Sequence, residues 1–206
     1  NESHPFAPQI RLAHIRFTGL MSRGAEVETS FSYESHGQSS QFLINEQGAL
    51  ASWAEGWHPV ALFVPGEQAH SRSMSAPGMT RLHLPGKWSS WRTVSNGAFR
   101  GRKETTDGFT ETWEATVPVA RSFAAGPYNI TRHPYGDHEL SAYCLASGAS
   151  SGKVQAKAVA DAIPALEARF GAYPYPIQAI VEIPEGPAPF LLSCEWGLIF
   201  AKSRVF

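Results

Sequence analysis

Ala98-Phe99-Arg100-Gly101-Arg102-Lys103-Glu104-Thr105-Thr106-Asp107-Gly108-Phe109-Thr110-Glu111-Thr112-Trp113-Glu114-Ala115-Thr116-Val117 reads as two strands around a turn. Phe109, Trp113, Ala115 and Val117 fall on one face and Thr110, Thr112, Glu114 and Thr116 on the other. That alternation is the period of a half-buried strand. Asp107-Gly108 supplies a type I′ hairpin turn, whose two central residues both need positive φ.

The same grammar extends outward. Gln9–Phe17 and Ala25–Tyr33 carry strand patterning, with Val27, Phe31 and Tyr33 opposed to Glu26, Glu28, Ser30 and Ser32. Phe42-Leu43-Ile44 and Ala49-Leu50-Ala51-Ser52-Trp53 flank the break at Gln47-Gly48 and form a hairpin. Trp57-His58-Pro59-Val60 belongs at a sheet edge or corner, because proline donates nothing to a ladder. Thr80–Leu84 alternates up to Pro85-Gly86, and Glu139–Leu145 places Leu140, Ala142 and Cys144 on one face. Short strands at about 8–12-residue spacing predict a mainly β architecture, a sandwich or strongly curved sheet.

Composition agrees and excludes several functions. Charged residues make up 17% of the 206, while Gly (18) and Pro (15) are plentiful, as in many short strands joined by tight turns. Lys and Arg number 17 against 18 acidic residues, so no global field attracts nucleic acid or an anionic membrane. No apolar run is long enough to insert in a membrane. Two cysteines, Cys144 and Cys194, are too few for a disulfide framework or a thiolate zinc site. The chain opens at Asn1, not methionine, which points to a trimmed start and leaves the compartment open with export favoured.

At Ser147-Gly148-Ala149-Ser150-Ser151-Gly152 the character changes, and the domain boundary is placed here, 1–148 and 149–206. A helix comes next, with Val154, Ala158, Ala162, Leu166 and Phe170 as its apolar stripe and Gly171 as its stop. Pro164 should kink or split it. Tyr173-Pro174-Tyr175-Pro176 makes a rigid turn, and Ile177–Ile183 reads as a buried strand. The run Leu191-Leu192-Ser193-Cys194-Glu195-Trp196-Gly197-Leu198-Ile199-Phe200 reads as another, interrupted by one carboxylate. A buried carboxylate is costly unless paired, so Glu195 needs a partner, a pocket mouth or a substrate.

Leu166-Glu167-Ala168-Arg169-Phe170-Gly171-Ala172-Tyr173-Pro174-Tyr175-Pro176, then Ala179–Pro184, then Cys194–Phe200, resembles the opening of the catalytic domain of the aminopeptidase N family of zinc metallopeptidases. Upstream, Gly56-Trp57-His58-Pro59, Leu82–Pro85, Val94-Ser95-Asn96-Gly97, Thr112-Trp113, Val117-Pro118 and Phe123–Tyr128 resemble that family's N-terminal domain in order and spacing. The resemblance implies a saddle-like β-sandwich followed by a partial α/β, thermolysin-like segment. It also implies a peptide substrate held along an edge strand, with Glu195 receiving the free α-amine beside Ser193 and Cys194. Here Leu-Ser-Cys-Glu-Trp stands where the family has Gly-x-Met-Glu-Asn.

Zinc is expected in a full-length parent and not in this chain. None of the eight histidines forms His-Glu-x-x-His, so these residues are expected to be inactive alone. A non-catalytic binding module that keeps the fold is the alternative. Cys194 lacks a neighbouring histidine and reads as inert. His133-Pro134-Tyr135-Gly136-Asp137-His138-Glu139 reads as a solvated hairpin loop, Trp88, Trp91 and Trp113 as core aromatics, and Arg100-Gly101-Arg102-Lys103 as a solvated strand face.

Overall fold

The computed structural model describes residues 2–4, 7–12, 22, 24, 28, 30–32, 34, 42–52, 57, 75–136, 138–145, 149–175, 177–184 and 192–203. The chain divides into two compact units, 1–36 and 37–206. The first contains the antiparallel pair β1 (Glu2–His4) and β2 (Ala7–Leu12). Ser30, Phe31 and Ser32 lie outside any strand and Phe31 is 52% exposed, which corrects the strand expected there. Val27 and Tyr33 lie outside the described residues, as do His58–Val60.

Among the described residues the second unit holds three open sheets, one α-helix and a short 3-10 turn at Gly86–Trp88. A four-stranded sheet runs β3 (Phe42–Asn45), β4 (Gly48–Ala51), β9 (Phe123–Gly126), β6 (Arg92–Ser95) in spatial order. A three-stranded sheet places β8 (Gly108–Val119) between β5 (Ala76–Pro85) and β7 (Ala98–Glu104). A five-stranded mixed sheet runs β10 (Asn129–Tyr135), β11 (His138–Cys144), β12 (Ile177–Ile183), β14 (Leu198–Lys202), β13 (Leu192–Glu195). The molecule is therefore mainly β.

Local chemistry explains the hairpins. Between β3 and β4 the Asn45 side-chain oxygen accepts from the Gln47 and Gly48 amides, at 2.8 and 3.1 Å, the Asx geometry that makes asparagine a turn residue. The β7–β8 hairpin forms, but not with a type I′ turn, since neither Asp107 nor Gly108 has positive φ. The loop is wider, closed by the Thr105 amide on the Gly108 carbonyl at 2.9 Å. Gly108 is needed for another reason: a Cβ there would sit 2.0 Å from the Leu84 carbonyl oxygen of β5.

One apolar cluster joins Leu43, Leu50, Val94 and Ala124 of the four-stranded sheet to Tyr143, Val181, Ile183, Leu198 and Phe200 of the five-stranded sheet. A second joins Ala49 and Ala125 to Leu84 and Phe109 of the three-stranded sheet. On the far side of the five-stranded sheet lies α1 (Ala149–Phe170). β11 and β12 are thus covered on both faces, so Ser141 and Tyr143 are as buried as Leu140 and Ala142. The five-stranded sheet also runs across residue 148, with β11 and β12 paired in parallel.

The helix is a single element with Pro164 inside it, so it is not split, and it differs from expectation in its face. Its buried face is Gly152, Ala156, Ala160 and Ile163, whereas Val154 (67%), Leu166 (54%) and Phe170 (76%) are exposed. An i, i+4, i+8 series drifts around a 3.6-residue helix, and the face that docks is the one with small residues, where the backbone can approach the sheet. A Cβ on Gly152 would lie 2.4 Å from the Cys144 Sγ.

Gly152→Ala should therefore destabilise the fold by about 1–3 kcal/mol in urea titrations, despite alanine's better helix propensity. Measured in a Cys144→Ala background, the same substitution should lose most of that cost.

Candidate functional site

The run 191–200 is not one strand. Trp196-Gly197 turns the chain, with Gly197 at φ 76°, and β13 folds back antiparallel on β14. β13 is the edge of the five-stranded sheet, with Leu192 and Cys194 exposed, Ser193 half-buried and Glu195 at its end. Edge strands present unpaired backbone groups to any extended segment that approaches.

Glu195 is 8% exposed, yet its carboxylate does not face apolar side chains alone. The Ser52 hydroxyl donates to Oε1 at 2.7 Å and the Ser122 hydroxyl to Oε2. Ser193 contributes a third hydroxyl. Ser52 comes directly after β4 and Ser122 directly before β9, so neighbouring strands of the four-stranded sheet reach across to the end of β13. Of the partner, pocket mouth or substrate that the sequence asks for, the structure supplies partners, and they are hydroxyls.

Asn96 extends the network. Its Oδ1 accepts from the Ser122 amide at 2.6 Å, its Nδ2 donates to the Trp196 carbonyl at 2.7 Å, and the Ser95 hydroxyl donates to the Ser122 carbonyl at 2.8 Å. Nothing local in the sequence signals this: Ser52, Ser122 and Asn96 lie tens of residues or more from Glu195. The available hint is a lone serine beside Ala49-Leu50-Ala51 and another beside Phe123-Ala124-Ala125.

Burial pushes the Glu195 carboxyl above its ordinary value, opposed by the hydroxyls of Ser122, Ser52 and Ser193. Burial and then the neighbouring Glu195 charge push the Cys194 thiol up, which disfavours the thiolate a nucleophile needs. Glu195 also lines an open recess of about 350 Å³ with Tyr173, Tyr175, Gln178, Cys194, Trp196 and Gly197. Tyr173 and Tyr175 meet edge to face at 5.4 Å, and the Tyr173 hydroxyl bonds Gln178. The recess is thus aromatic-walled, with Glu195 the acidic residue among those that line it.

Elsewhere the apolar interior holds two more carboxylates. Glu111 accepts from the Thr93 amide and hydroxyl at 2.8 and 2.7 Å, and Glu182 from the Leu145 amide at 2.7 Å. Glu182 adds to the burial that lifts the Cys144 thiol to about 11. Among the described residues no three His, Cys, Asp or Glu side chains are grouped to hold a metal. His133 is exposed, and His138 stacks on Tyr135, in the β10–β11 hairpin; Asp137 lies outside the described residues.

Raised carboxyl affinity has a definite sign. The folded chain holds the Glu195 proton more tightly than the unfolded chain, so this group favours the fold below the ordinary carboxyl value. That contribution is lost as pH rises through the raised value. Urea titrations across pH 4–8 should show Glu195→Gln flattening this part of the stability profile; an unchanged slope would mean the carboxyl is not perturbed.

No protein-family model and no curated protein sequence matches the chain. Solved structures do match. The M1 zinc metallopeptidase from Deinococcus radiodurans superposes with TM-score 0.57 at 18% identity, over 79% of this chain and 37% of that one. A mutant of that enzyme bound to a Tyr-Ser-Ala substrate gives 0.56 at 16%, over 80% and 38%. Legionella pneumophila aminopeptidase A in complex with aspartic acid gives 0.61 at 16%, over 81% and 20%. The chain spans under two-fifths of each of these proteins, and over most of its own length it has an M1-like fold.

Proposed function

We propose that the chain is part of an aminopeptidase-type metallopeptidase, supplying the N-terminal β domain and one wall of a peptide-binding cleft. In this reading an extended peptide joins the open edge of β13 alongside Ser193 and Cys194, and Glu195 receives its α-ammonium group. The observation that carries it is an edge strand whose last residue, Glu195, lines an open recess. The two carboxylate oxygens have four lone pairs between them, so the three serine hydroxyls leave one position for a cation.

The domain division at 148 and the thermolysin-like character of residues 149–206 belong to this proposal. The likeness of the fold to M1 enzymes supports them. The helix-backed mixed sheet that contains β12, β13 and β14 supports the second, while its strands β10 and β11 come from before residue 148. Zinc does not fit the residues present: the 206 residues contain no His-Glu-x-x-His, and no described cluster replaces it. In the longer protein the metal would lie outside this chain, which by itself hydrolyses nothing. A non-catalytic binding module is the second reading, favoured by the hydroxyls that already occupy both Glu195 oxygens.

Two measurements separate these. Titrating the chain with a free tripeptide and its N-acetyl form, read by amide NMR, should shift Leu192–Glu195 resonances. Acetylation should weaken binding about tenfold, the worth of one charge-assisted hydrogen bond, and Glu195→Gln should abolish the difference. Equal affinities would refute amine recognition. Finding His-Glu-x-x-His in the codons after Phe206 would support the peptidase, and its absence from the full reading frame would leave the binding module.

Cys194 gives an independent readout. Its raised thiol value predicts slower alkylation at pH 8 than a free cysteine, and a peptide lying on β13 should slow it further.

A further inference from the structure

Asn96 is fully buried directly after β6. The next residue, Gly97, has φ 101° and is pressed on β8 so closely that a Cβ would lie 2.2 Å from the Glu114 carbonyl oxygen. One side-chain amide therefore projects from a closely packed stretch of backbone and serves two partners at once. Its oxygen takes the Ser122 N–H at 2.6 Å and its nitrogen gives a proton to the Trp196 carbonyl at 2.7 Å.

These partners flank one group. Trp196 is the residue after Glu195, and Ser122 carries the hydroxyl that donates to Glu195 Oε2. Ser95, adjacent to Asn96, fixes the Ser122 carbonyl as well. We propose that Asn96 is the positioning residue of the site: its amide sets the distance between the β13–β14 turn and Ser122, and so fixes where the Glu195 carboxyl sits at the end of β13. The inference rests on the reading of Glu195 as the ligand-binding carboxyl, but its geometry stands without a ligand.

A donor and an acceptor on one short side chain are both required. Alanine supplies neither, and aspartate keeps the acceptor while turning an oxygen toward the Trp196 carbonyl. Removing the amide loosens Ser122 from Glu195, and a carboxylate that loses a donor becomes harder to ionise.

The test tracks the Glu195 side-chain carboxyl by carbon NMR through a pH titration of the full chain. Asn96→Ala and Ser122→Ala should each raise its midpoint, and the double variant should raise it no further than Ser122→Ala alone. Additive shifts, or no shift for Asn96→Ala, would overturn the proposal, since a merely structural asparagine would not move this midpoint through Ser122. Should Asn96→Ala fail to fold, the unmodified chain still decides. The Asn96 side-chain amide and the Ser122 backbone amide must titrate with the Glu195 midpoint, and their indifference would overturn the inference. Failure of free tripeptide to bind the unmodified chain would refute the amine-binding reading alone, leaving the titration to judge Asn96.

Discussion

A carboxyl group taken out of water must find donors in the protein or give up its charge. Glu195 does some of each. Three hydroxyls replace its water while burial still lifts its proton affinity. Because those hydroxyls come from the ends of β4, β9 and β13, satisfying one carboxyl ties the four-stranded sheet to the edge of the five-stranded one. The apolar cluster between the sheets supplies the area, but it is non-directional. The hydroxyls supply the register, placing the β13–β14 turn at one spot.

The interior repeats this solution. Glu111 is held by the Thr93 amide and hydroxyl, and Glu182 by the Leu145 amide. Each buried carboxylate takes donors from outside its own strand, so each fixes the spacing of two segments. A fold made of short open sheets with modest cores gains definition from such points. A hydrogen bond to a charged group contributes about 1.5–3 kcal/mol net.

What was legible in the sequence was local. The β3–β4 and β7–β8 hairpins arise from alternation and turn residues, and the place of Glu195 as the odd residue in an apolar run was visible. Its partners were not, because hydrogen bonds spanning 143, 100 and 73 residues leave no periodic trace. The helix was legible as an element and misread as a face. Gly152, Ala156 and Ala160 dock because they are small, whereas a search for large apolar residues selects Val154, Leu166 and Phe170, which stay exposed. The turn at Trp196-Gly197 was hidden because tryptophan continues an apolar run as well as it can end a strand. Glu111, sitting among Phe109, Trp113 and Ala115, broke the alternation silently for the same reason: its partners are on another sheet.

The span of these hydrogen bonds also bears on how the chain reaches its fold. Hairpins such as β7–β8 close loops of a few residues and form early at small entropic cost. The Ser52–Glu195 bond closes a loop of 143 residues, a larger entropic cost than any hairpin's, and it is made only where the end of β13 meets the four-stranded sheet. The carboxyl's hydrogen bonds therefore depend on the packing of both sheets, and a misassembly of the layers beneath would break them.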